Sequence, residues 1–86
     1  MSLRKNVVSN LATAMRTRRL SQYQLAEKSG VHMTGLSRIM NHHSEPSLST
    51  CERLARALRL PAEWLVEPPE NFCSKLSNNV DRGQVG

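Results

Sequence analysis

Eighty-six residues at 38% hydrophobic content leave room for one modest core and no second domain of ordinary size. The formal charge of +5 suits an anionic partner, and its placement sharpens the point: residues 1–45 carry seven Lys or Arg against two Glu, while the rest of the chain is balanced. Cys51 and Cys73 are too few for a disulfide framework, and the opening MSLRKNVVSNLATAM has no continuous apolar run that would serve as a signal peptide or membrane span, so a soluble, cytoplasmic protein is expected. A core this small seldom supplies more than about 3–5 kcal/mol, which makes oligomerisation, a homodimer first, or a bound partner the natural supplement.

No stretch alternates apolar and polar residues as a strand does, whereas several repeat apolar residues at three-and-four spacing, so the fold class is all-α, a compact bundle of five short helices. Val7, Val8, Leu11 and Met15 stripe a first helix, about Asn6 to Arg18. Ser21 caps a second, Gln22 to Ser29, and Gly30 stops it in a left-handed conformation. A third runs from Met33 to about Asn41, with His32 at its start and Leu36, Ile39 and Met40 on one face. Ser49 with Glu52 reads as a capping box for a fourth helix whose buried side is Cys51, Leu54, Ala55 and Leu58. Pro61 opens a fifth helix that turns Trp64 and Leu65 inward, and Pro68-Pro69 ends it. On this reading residues 1–70 form the domain and residues 71–86 a C-terminal tail, partly mobile.

The segment QYQLAEKSGVHMTGLSRIMN, Gln22 to Asn41, carries the chemistry. Two short helices cross steeply only where their closest point lacks bulk, which Ala26 supplies, and Gly30 allows the sharp turn between them. Val31 plugs the turn, while Leu25, Leu36 and Ile39 complete a wedge that supports helix three from behind and leaves its front bare, as major-groove reading requires. On a wheel of 100° per residue, Met33, Thr34, Ser37, Arg38 and Asn41 separate from Leu36, Ile39 and Met40 and face outward.

In these residues the chain resembles the Cro/lambda-repressor-like, or Xre, helix-turn-helix family. LSQYQLAEKSGV followed by LSRIMN carries the likeness through helices two and three, and EPS with LARALRLPAEWL carries it through helices four and five, over residues 7–66. The resemblance implies a sequence-specific, double-stranded DNA-binding transcriptional regulator, a phage- or prophage-type repressor that binds an operator as a dimer. It puts Met33, Thr34, Ser37 and Arg38 at base edges and Ser21, Gln22 and Asn41 at phosphates. Arg4 and Lys5 extend the phosphate set as an arm. Arg16, Arg18 and Arg19 are either a further DNA patch or a solvated helix end. Met33 stands where the family often has Gln, Arg59 where it commonly has Gly, and Met15 and Met40 where it frequently pairs an Arg with a Glu.

Other functions find less support. The spacings of His32, His42, His43, Cys51 and Cys73 match no zinc pattern, so no metal or other cofactor is expected, His32 reads as a cap of helix three, and His42-His43 read as lining a loop near DNA. No Gly-rich phosphate loop or nucleophile constellation is present, so the chain does not read as an enzyme. The alternative is an antitoxin-like interaction protein on a helix-turn-helix scaffold, its tail wrapping a protein partner through Phe72, Leu76 and Val80.

Overall fold

The structure, a computed structural model, describes the backbone of residues 3–85 and the side chains of residues 5–77. Its first helix, α1, spans Leu3–Arg18 and buries Val7, Val8, Leu11, Ala14 and Met15, a stripe that returns every three or four residues. α1 cannot simply run on into α2, Gln22–Ser29, because Arg19 turns the chain in the left-handed region at φ 57°. There the N–H of Arg19 bonds the Arg16 carbonyl at 3.2 Å and that of Leu20 bonds Met15 at 2.9 Å, a Schellman closure. α3, Met33–Met40, and α4, Leu48–Ala57, follow, and α4 ends in the same way with Arg59 at φ 60° and Leu60 buried behind it. Side chains from all these elements meet in one core around Leu11, Leu25, Leu36, Leu54, Leu58 and Leu65, none of which keeps any exposure.

The structure corrects the expected start of α4. Its N-cap is Ser47, not Ser49: Ser47 is extended, and its hydroxyl oxygen accepts the Thr50 N–H at 3.1 Å. Ser49, one residue inside the helix, is exposed, and Glu52 lies beyond the reach of a capping box.

The larger correction lies further on. The expected fifth helix at Pro61 is a short 3-10 turn, Ala62–Val66, which buries Leu65 fully and Trp64 in part. Pro68-Pro69 starts a helix rather than ending one. α5 spans Pro69–Val85, where Pro69 occupies the first position, whose N–H needs no partner. Phe72, fully buried, and Leu76, 3% exposed, belong to the core, so the packed unit does not close at residue 70. Val80, the third apolar residue expected of the tail, lies outside the described side chains.

Two asparagines that periodicity alone would leave on the surface hold this arrangement. A 3-10 turn leaves its last carbonyls without helical partners, and here they point at α1. Asn10, 1% exposed, donates its Nδ2 hydrogens to the carbonyls of Leu65 at 2.9 Å and Glu67 at 2.8 Å, with a longer contact to Trp64 at 3.4 Å. One turn earlier Asn6 Nδ2 reaches the Val66 carbonyl at 3.3 Å. At the other end of α1, Arg18 Nε donates to the Leu58 carbonyl at 2.7 Å and so caps the C-terminus of α4. Outside the core, Lys75 of α5 bonds Glu67 at 2.9 Å and lies 5.8 Å from the Trp64 ring centre. The Lys75 hydrogen bond holds the Glu67 carboxyl below its ordinary range, so the pair favours the fold above that range and the contribution fades as pH falls.

Asn10→Ala strands the buried carbonyl of Leu65 and the part-buried one of Glu67, at about 1–3 kcal/mol for a buried group left unpaired, and is expected to cost about 2–4 kcal/mol in urea unfolding followed by circular dichroism. Ser47→Ala should cost about 0.5–2 kcal/mol in the same assay and Ser49→Ala less than about 0.5; equal losses at the two serines would contradict the cap assignment.

Candidate nucleic-acid interface

The geometry of α2 and α3 begins with a reciprocal cap. The Ser21 hydroxyl oxygen accepts the Gln24 N–H at 3.1 Å while Gln24 Oε1 accepts the Ser21 N–H at 2.9 Å, which leaves the amides of Gln22 and Tyr23 at the open end of the helix. Eight residues later Gly30 ends α2 at φ 77°, its N–H bonded to the Ala26 carbonyl at 3.0 Å. Ser29 braces the turn by accepting the Val31 N–H at 3.2 Å. Leu25 and Ala26 are buried, Val31 packs against the core, and α3 leaves at once on the far side of the turn.

α3 is held from one side only. Leu36 and Ile39 are buried and Met40 is half-buried, whereas Met33, Thr34, Arg38 and Asn41 are exposed and Ser37 is half-buried. Five of the residues expected to touch DNA therefore share one outward row. Gly35 flanks that row, and a Cβ built on it would meet nothing within 4 Å, so no contact inside the chain requires its missing side chain.

The C-terminal end of α3 is closed by hydrogen bonds. His42 stands at φ 63°, its N–H on the Ile39 carbonyl at 3.1 Å, and the His43 N–H bonds Arg38 at 2.8 Å, a third Schellman closure. Asn41 Nδ2 donates to the Ser37 carbonyl at 2.9 Å and to Ser37 Oγ at 3.4 Å. The Ser37 hydroxyl thus accepts from within and keeps its own hydrogen for a group outside. Asn41 must exchange a bond to donate elsewhere.

The remaining expected contacts are less uniform. Ser21 is exposed and Gln22 half-buried, both at the open end of α2. Lys5 is exposed but sits in the first turns of α1 rather than on an extended arm; the side chain of Arg4 lies outside the described residues. Arg16 and Arg19 are exposed, while Arg18 is committed to α4. His32 occupies the N-cap position of α3 but makes no side-chain capping bond, a correction to its expected role. Tyr23, 62% exposed, joins Glu27, Val31, His32 and Met33 along a shallow groove where α2 meets α3. Asn10 and Asn6, which set the frame behind α3, escaped the sequence reading, where the available signal was a pair of amides four residues apart inside an apolar stripe; Arg18, read as a DNA patch or a solvated helix end, is instead a brace to α4.

Among the described residues no three His, Cys, Asp or Glu side chains gather as a metal site, and no helix is long and apolar enough to cross a membrane. Cys51 is buried, and burial, aided by Glu52, pushes its thiol above the ordinary range. Cys73 is exposed and free.

The chain belongs to the helix-turn-helix family: the family model HTH_3, Helix-turn-helix, matches residues 11–65, from the middle of α1 to the 3-10 turn. It is of the Cro/C1, or Xre, kind, a class of DNA-binding transcription regulators and not of enzymes. The fold is also similar to a crystal structure described as a hypothetical transcription factor, NHTF, from Neisseria, with a TM-score of 0.78 and 27% identity over 85% of this chain and 84% of that one. No curated protein matches the chain.

Two glycines separate strain from propensity. Gly30→Ala is expected to cost about 1–2 kcal/mol because a Cβ is strained at its positive φ, while Gly35→Ala, in open space within α3, should gain about 0.5–1 kcal/mol of helix propensity. Thermal or urea unfolding of the two variants reads both signs, and a stabilised Gly30→Ala would contradict the turn geometry.

Proposed function

We propose that this chain is a sequence-specific repressor of transcription, of the phage or prophage kind, that reads duplex DNA with α3 in the major groove and binds its operator as a twofold dimer. The observation that carries this is the outward row of α3, polar but for Met33, on a helix whose opposite row is fixed in the core. Membership of the helix-turn-helix family and likeness to a protein described as a transcription factor support it.

Each residue's chemistry assigns its role. The Arg38 guanidinium offers two hydrogen bonds to guanine O6 and N7. Ser37, with its hydrogen free, and Thr34 serve either base, and the Met33 thioether covers a thymine methyl. Ser21, Gln22 and the free amides that begin α2 take a phosphate, since a helix N-terminus presents both N–H groups and positive potential. Asn41 takes another by giving up its bond to Ser37, and Lys5 with Arg4 adds charge from α1. A twofold dimer would set two such helices about 34 Å apart, one turn of the duplex. Phe72 is spent inside the core and offers nothing to a dimer, whereas Val66, 38% exposed, and half-buried Trp64 keep apolar area outside. The same burial of Phe72 and Leu76 removes two of the three anchors of a partner-wrapping tail.

Selection of fragments from a random duplex pool tests the assignment. Arg38→Ala is expected to relax preference at one base pair of each half-site with a loss of about 1–3 kcal/mol there, whereas Gln22→Ala should weaken all sequences about equally. An unchanged selected motif with Arg38→Ala would remove Arg38 from base reading.

A further inference from the structure

All three histidines of the chain flank one element. His32 is the N-cap of α3, and His42 and His43 follow its last residues. The helix between them is about 12 Å long, and all three side chains are exposed. His42 and His43 are not on a floating loop, because their backbone N–H groups close the end of α3, and His42 is held in a left-handed conformation that glycine or asparagine would adopt with less strain. Between Arg38 and Arg53 the chain has no Lys or Arg, so the only groups there able to become cationic are these two imidazoles.

We propose that His42 and His43, with His32 in support, are phosphate-binding groups that take up protons as the protein binds DNA, so that affinity rises as pH falls. The inference rests on the reading of α3 as the DNA-facing helix. Histidine is the side chain whose charge changes between about pH 5 and pH 8, and a neighbouring phosphate favours its charged form. On the elements packed against α3 the charged residues are Glu27 and Lys28 on α2 and Lys5, Arg16, Arg18 and, just past its end, Arg19 on α1, while Arg38 lies on α3 itself and Glu45 in the loop that follows. Glu27 shares a groove with His32. Mixed signs around the three imidazoles leave the phosphates as the new charge that binding brings. The sign follows directly: a group that is more readily protonated when bound strengthens binding below its titration range and stops contributing above it.

The test is a titration of a mixed-sequence duplex of about 24 base pairs, enough for two half-sites a turn apart, at about pH 6 and about pH 8 over a range of salt. The expected result is binding about tenfold tighter at the lower pH, with a salt dependence steeper by about one to two phosphate contacts. The variant His32→Gln, His42→Asn, His43→Gln keeps a residue tolerant of the left-handed position, and it should lose the pH response, its affinity differing by less than about twofold between the two pH values. His43→Lys should bind more tightly at pH 8 and respond less to pH. A flat wild-type profile, or an unaltered response in the histidine-free variant with its helical circular dichroism intact, overturns the proposal. Failure to bind the duplex at either pH, or to select any sequence from a random pool, would overturn the DNA-binding reading itself and the inference with it.

Discussion

An eight-residue helix does not hold together in water by itself, since nucleation is costly and too few hydrogen bonds follow to offset it. α3 therefore exists only as far as Leu36, Ile39 and, in part, Met40 are buried against α1, α2 and the core they share. That one constraint decides everything presented on its other side. With those three positions committed, helical geometry leaves Met33, Thr34, Ser37, Arg38 and Asn41 on the outward side.

The rest of the molecule maintains that commitment. Gly30 turns the chain sharply enough for α3 to lie across α2, and the reciprocal cap at Ser21 and Gln24 fixes where α2 begins. Behind them, Asn10 and Asn6 tie α1 to the 3-10 turn, and Arg18 ties it to the end of α4, so the floor on which α3 rests is one piece. Three helix ends are closed by a left-handed residue other than glycine: Arg19, His42 and Arg59. Such positions cost about 1 kcal/mol each relative to glycine. What the chain gains in return is a cationic or protonatable side chain held at a fixed place. At His42 that place adjoins the end of α3; nothing in the structure explains the choice of Arg59.

How much of this could be read beforehand follows from which interactions are local. The bounds of α2 were legible to the residue, because Ser21 and Gly30 act on backbone within three or four positions of themselves. The exposed and buried rows of α3 were legible for a similar reason, since the helical period sorts them without reference to any neighbour. The cap of α4 was misplaced by two residues because Ser47 and Ser49 are chemically equal, and only the path of the chain after Pro46 chooses between them. The proline pair was read backwards, for proline both follows helices and opens them, and the contacts of Phe72 and Leu76 decide which.

The amino-acid sequence by itself determined the helical class, the helix-turn-helix at Gln22 to Met40 and the row of side chains that α3 turns outward, because these depend on spacing and on local backbone chemistry. Tertiary structure alone decided that Asn6, Asn10 and Arg18 are inward braces rather than surface polar groups, that residues 62–66 coil as a 3-10 turn, and that Phe72 and Leu76 complete the core. In each of those cases the partner lies forty or more residues away or the outcome turns on burial, and a hydrogen bond or contact of that kind leaves no period in the chain to be read.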